Sequence, residues 1–243
     1  MHRTLIALMC GLFMVMTMTT YAGVTVQGTR IIVPSNAKSV SVQLQNQFDT
    51  PALVQVWLDK GDMNVIPDAS QIPFLLTPAL TRVEANSGQV IRILPLGTPE
   101  LVQDRESLFI FNLLDIPPEK AEDANSNVLS FNVRTRLKLF YRPHTLKMSQ
   151  DKGFQALKFQ YDAKNKTLQV NNPTPYYMNL SKIILNPQQQ KKPIVQALMV
   201  EPFEKANFTN ISSTSDLTKI QYFVLNDLGG ENTYTTSVTT TTN

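Results

Sequence analysis

Apolar and polar residues alternate through residues 127–143, NVLSFNVRTRLKLFYRP. Leu129, Phe131, Val133, Leu137 and Leu139 take one parity; Ser130, Asn132, Arg134, Arg136 and Lys138 take the other. A period of two over this length predicts a long β-strand whose faces meet different surroundings. Two readings fit. The strand lies inside a sandwich with its apolar side to the core, or it is an edge strand holding apolar side chains out for another protein. Alternation alone does not separate them.

The rest of the chain repeats the pattern in shorter runs, rich in Val, Ile, Thr and Phe and divided by turn residues. Residues 24–33, 39–45, 52–58, 72–76, 89–94 and 107–113 read as strands, and the 127–143 strand makes seven. That number before residue 144 predicts an immunoglobulin-like sandwich. Trp57, the only tryptophan, falls mid-strand and is assigned to core packing. After Pro143-His144 the pattern restarts, with strands expected at 154–161, 167–170, 177–185, 194–199, 220–225 and 234–241. Residues 162–166, DAKNK, read as a hairpin turn. The tail TTSVTTTTN is a last strand or a frayed end. No amphipathic helix of useful length is expected. The chain divides into a leader at 1–22, a β domain at 23–144 and a second at 145–243.

The leader reads as a secretory signal peptide. His2 and Arg3 precede an apolar run from Leu5 to Val15, and Thr20-Tyr21-Ala22 sets small residues before a cut ahead of Gly23. The run is shorter than the about 20 apolar residues a membrane helix needs, and no later stretch offers a membrane anchor. Cys10, the single cysteine, lies in the leader. An exported chain without disulfides must hold its domains by burial alone. The balance of 22 basic against 19 acidic residues is too even to argue for nucleic acid or an anionic membrane as partner.

Beyond the leader the only histidine is His144, and no cysteine remains, which excludes His/Cys metal clusters and Cys–His nucleophiles. There is no phosphate-binding glycine loop and no Gly-x-Ser-x-Gly elbow. Asp115 and Glu119 read as loop carboxylates without a partner. The expectation is a protein that is not an enzyme and takes no metal or cofactor. The unusual feature is charge inside strands: Arg30, Arg92, Lys138 and Arg142. Singly, each faces water; gathered in a cleft between two domains, they make an anion site.

Six segments in order carry a resemblance. They are Gly28-Thr29-Arg30, the run QDRESLF at 103–109 leading into Phe111-Asn112, Asp115-Ile116-Pro117-Pro118, LKLFYRP at 137–143, NPTPYY at 172–177, and Asn226-Asp227 with Gly229-Gly230. Together they resemble the PapD-like periplasmic chaperones of the chaperone–usher pathway across nearly all of residues 23–243. The resemblance implies an all-β protein of two immunoglobulin-like domains set as a boomerang, with a cleft between them. It implies an ATP-independent periplasmic chaperone that binds, folds and caps pilin subunits by donor-strand complementation, then delivers them to an outer-membrane usher. Adding a strand to an incomplete sheet in this way is a known mode of recognition. By the same resemblance, Leu129, Phe131 and Val133 fill the pilin groove. Arg30 and Lys138 bind the pilin's C-terminal carboxylate, and Arg92, Glu106, Arg142 and Asp227 form salt bridges that hold the domains at their angle. An unoccupied donor strand also leaves self-association open.

One point conflicts with the pattern. Lys138 has the opposite parity to Leu129, Phe131 and Val133, so a bulge, a strong twist or a cleft on the polar face is needed to reconcile them. The chain also departs from the family in lacking a cysteine pair in its second domain. The loop at 117–126 is short, which fits the short-loop subclass. A different class of function, a secreted structural or adhesive pilus subunit, requires an N-terminal donor extension. Gly23 instead runs almost directly into the Arg30 strand.

Overall fold

A computed structural model describes residues 23–65, 67–68, 71–97, 101–118, 131–188, 193–194, 196–211 and 217–241. The first apolar run becomes two strands. β1 (Val24–Val26) and β2 (Arg30–Pro34) are separated by Gly28, whose φ of 94° lies in the left-handed region that glycine adopts freely. The turn sends them to different sheets. β1 pairs antiparallel with β3 (Val40–Asn46), and β2 runs parallel to β9 (Val133–Arg142).

The other strands of this half are β4 (Ala52–Asp59), β5 (Phe74–Thr77), β6 (Leu80–Val83), β7 (Gly88–Pro95) and β8 (Ser107–Ile116). They assemble as sheets ordered β1-β3-β7-β5 and β2-β9-β8-β4-β6. Alternate residues point inward, and Val33, Val54, Ile91, Ile93, Phe111, Leu113 and Leu139 are sealed between the layers. β6 was not expected from the sequence. It is four residues long with one buried side chain, too little for periodicity to register.

The second half forms its own core around Leu168, Val170, Met178, Ile183, Phe208 and Ile220. Its first element corrects the expectation of a strand at 154–161. Residues Gln150–Gln155 form a short helix, α1, capped by Ser149, whose hydroxyl accepts from the Lys152 N–H; β10 (Lys158–Asp162) begins only after it. β11 (Thr167–Asn171), β12 (Met178–Leu185), β13 (Leu198–Val200), β14 (Lys205–Phe208), β15 (Lys219–Leu225) and β16 (Glu231–Thr241) follow. The 162–166 segment is a turn in which the Asp162 carboxylate accepts from the N–H groups of Lys164 and Asn165.

The Thr-rich tail is a strand through Thr241. Residues 231–237 of β16 pair antiparallel with β15, and residues 238–241 run parallel to β10, so one strand joins both layers. The two sandwiches form a boomerang with a cleft between them. Among the described residues no helix is long and apolar enough to cross a membrane.

Candidate functional site

β9 is paired unevenly. β8 flanks its whole length, from Val133 opposite Asp115 to Tyr141 opposite Ser107. On the other flank β2 pairs only with Lys138 through Arg142. Residues 133–137 therefore present an edge to which no described strand bonds, a template for another chain. The β8–β9 register is continuous, without a bulge, so side-chain parity holds throughout. Leu139 and Leu137 face the core. Val133 and Phe131 continue the same stripe past the end of the core, 56% and 71% exposed. Leu129 and residues 119–126 of the neighbouring loop lie outside the described residues.

The parity conflict is resolved by the cleft lying on the polar face. Arg134, Arg136, Lys138, Phe140 and Arg142 share that face. The first two serve a cluster that sequence reasoning missed. Asp59, only 1% exposed at its side chain, pairs with Arg134 at 3.3 Å and Arg136 at 2.9 Å. Asn112 completes the cluster, donating to Asp59 at 2.8 Å and accepting from Nε of both arginines. Arg134 also lies over the Trp57 ring, 4.8 Å from its centroid. Trp57 is therefore not a core residue. Val54, Val56 and Leu58 take the inward parity of β4 and leave it on the outer face. Asp115, expected in a loop without a partner, is a buried β8 residue accepting from the Val24 N–H at 2.9 Å. Arginines of one parity on β9 were a visible signal; their partners on β4 and β8 were not.

Arg30 and Lys138 are direct neighbours across the β2–β9 pair. The Arg30 Nη1 donates to the Leu225 carbonyl at 3.1 Å, and its buried Nε has no partner among the described residues. The Lys138 ammonium donates to Asn179 Oδ1 at 2.5 Å. Neither has a carboxylate in ion-pair contact among the described residues. Burial holds both cations below their ordinary pKa. The charge of Arg30 lowers Lys138 further, while Asp227 and Glu106 act against the effect on Arg30. Two half-buried positive charges side by side favour an anion as their neighbour.

Arg142 crosses from one domain to the other. Its Nε bonds Glu106 at 2.7 Å, and its two Nη groups grip Asp227 as a fork, at 2.6 and 2.8 Å. The second Glu106 oxygen accepts from the Tyr177 N–H at 2.8 Å, and Gln150 donates to Asp227 at 2.7 Å. Burial raises the Glu106 carboxyl above its ordinary range despite the nearby Arg142 charge. Burial acts the same way on Asp227, but hydrogen bonds and charge from Arg142 outweigh it and hold that carboxyl low. Arg92 does not join them. It projects from β7 in the other sheet, between Ser41 and Thr77, with Ile91 and Ile93 taking the core-facing parity. It has no ion pair among the described residues.

Two family models, together with curated and solved relatives, match the chain. The family described as "Pili and flagellar-assembly chaperone, PapD N-terminal domain" matches residues 23–147, and "Pili assembly chaperone PapD, C-terminal domain" matches residues 152–236. The probable fimbrial chaperone YadV of Escherichia coli K12 is 38% identical over 215 residues, covering 86% of this chain and 87% of the relative. The solved Pseudomonas aeruginosa CupB2 chaperone superposes with a TM-score of 0.74 at 37% identity, covering 88% of this chain and all of that one. SafB of Salmonella enterica, solved in complex with the SafA pilin, gives 0.74 at 28% identity, with 90% and 98% covered. These are chaperones rather than fibre subunits, which decides against the structural or adhesive alternative. The chain belongs to the PapD-like family of pilus-assembly chaperones.

Proposed function

We propose that this chaperone lends residues 129–137 as the missing strand of a pilin subunit and anchors that subunit's C-terminal carboxylate on Arg30 and Lys138. The observation that carries the reading is the free edge of β9, which runs from exposed Val133, with exposed Phe131 just before it, to two cations without a carboxylate partner among the described residues. Leu129, Phe131 and Val133 fill the pilin groove, and the carboxylate at Lys138 sets the register. The parity of the strand supports the division of labour. One face supplies apolar plugs while the other turns its charge to the cleft, so filling the groove does not bury a cation. Glu106, Arg142 and Asp227 hold the domain angle that keeps the cleft open; Arg92 is left out of that set.

Residues 1–22 are a signal peptide removed after Ala22, with domains at 23–144 and 145–243, in keeping with a family match that starts at residue 23. The periplasmic protein releases the pilin to an outer-membrane usher without ATP and without turnover. SafB, captured with a pilin, supports this choice of partner.

The test is periplasmic co-expression with the pilin encoded beside the chaperone, followed by co-purification and protease challenge. The wild type should protect the pilin one-to-one, while Arg30→Ala and Lys138→Ala stay folded and lose it to degradation. Undiminished protection by both variants refutes the anchor.

A further inference from the structure

Both cleft cations belong to the first domain, yet each is steered by the second. Arg30 donates to the carbonyl of Leu225 at the end of β15, and Lys138 to the side chain of Asn179 on β12. Asn179 is 5% exposed and sits between Met178 and Leu180, which pack into the second core. Alternation turns it away from that core and toward Lys138. Its amide oxygen accepts as a carboxylate would but brings no charge. A carboxylate there would form an internal ion pair with Lys138 and fill the site.

We propose that Asn179 is a positioning residue for pilin capture: a neutral acceptor that aims the Lys138 ammonium while leaving its charge for an incoming carboxylate. This rests on the carboxylate-anchor reading above. The anchor is then composite, because its cations take their orientation from β12 and β15 only while the domains are docked. The Glu106–Arg142–Asp227 bridge thereby contributes to the shape of the anion site as well as to the domain angle.

Asn179→Asp and Lys138→Ala distinguish this from a structural role. The probe is a synthetic peptide of the pilin's C-terminal strand, prepared as free acid and as amide, with thermal unfolding of each purified full-length variant alongside. Asn179→Asp is expected to raise the unfolding temperature through the new Lys138 pair. It should also weaken the free-acid peptide by about tenfold or more and leave the amide within about twofold. A side chain needed only for folding moves stability and binding in the same direction. If Lys138→Ala abolishes the preference for free acid over amide while Asn179→Asp retains it, the inference is overturned and the anchor stands. If Lys138→Ala itself retains the preference, both are overturned.

Discussion

Serine at Phe131 and Val133 separates binding from folding. Both side chains lie beyond the end of the first core, 71% and 56% exposed, so removing them is expected to change the chaperone's own stability by no more than about 0.5 kcal/mol. Covering a large apolar side chain stabilises a complex by about 1.5–3 kcal/mol. Val133 is already half covered and falls near the lower figure, so the double variant loses about 3–4 kcal/mol of pilin binding. That corresponds to roughly a hundred- to thousandfold in Kd. Leu139 shares their parity on β9 but is 0% exposed, and Leu139→Ser should cost the fold at least the about 2–5 kcal/mol of a buried truncation. The assay pairs thermal unfolding with competition against a preformed wild-type complex for the same pilin. The reasoning fails if the double variant unfolds as readily as Leu139→Ser, or if it competes as well as wild type. Either result would mean that the stripe beyond the core is not what the partner covers.

Asp59→Ala leaves Arg134 and Arg136 without a counter-charge. Breaking a fully buried pair costs about 3–5 kcal/mol, and because both arginines keep partial solvent contact, about 2–3 kcal/mol is expected in urea unfolding. A loss under about 0.5 kcal/mol refutes a structural role for the cluster. Lys138 titrates below its ordinary 10.5, first through burial and then through the charge of Arg30. A bound carboxylate favours the charged form, so pilin affinity should be flat near neutrality and fall as pH rises through the lowered value, with proton uptake on binding there. In Lys138→Arg, which keeps its charge, the alkaline fall should disappear; its persistence excludes Lys138 as the titrating group. Gly229 has a φ of 83°, and a Cβ there would lie 2.4 Å from the Thr29 hydroxyl of the first domain. Gly229→Ala should therefore loosen the domain contact and lower the unfolding temperature, with partial recovery on adding Thr29→Ala. No change in unfolding would show that this contact does not couple the domains.

Much of the architecture was legible because a period of two is a local property. Alternation located most of the strands, and the position of charge within strands singled out Arg30, Lys138 and Arg142 together with Arg92. What alternation could not supply was the assignment of strands to sheets and edges. The 24–33 run reads as one strand, but the left-handed turn at Gly28 divides it between two layers. Arg92 and Lys138 look alike in sequence, yet one lies on the outer face of the opposite sheet and the other at the interdomain cleft. A short N-capped helix replaced the start of an expected strand because a single turn is too brief to declare a period.

The candidate site divides in the same way. The order of residues is enough to show the apolar stripe at Leu129, Phe131 and Val133, the opposite parity of Lys138, and the family motifs that run through both domains. Folding in three dimensions decided that the cleft lies on the polar face of β9 and that Arg134 and Arg136 converge on Asp59. It also decided that a neutral Asn179, rather than a carboxylate, meets Lys138. The reason is physical. Alternation states which side of a strand a residue takes, whereas the charge and burial it meets are set by residues 41 to 77 positions away in the chain, brought near only when the sandwiches close and dock.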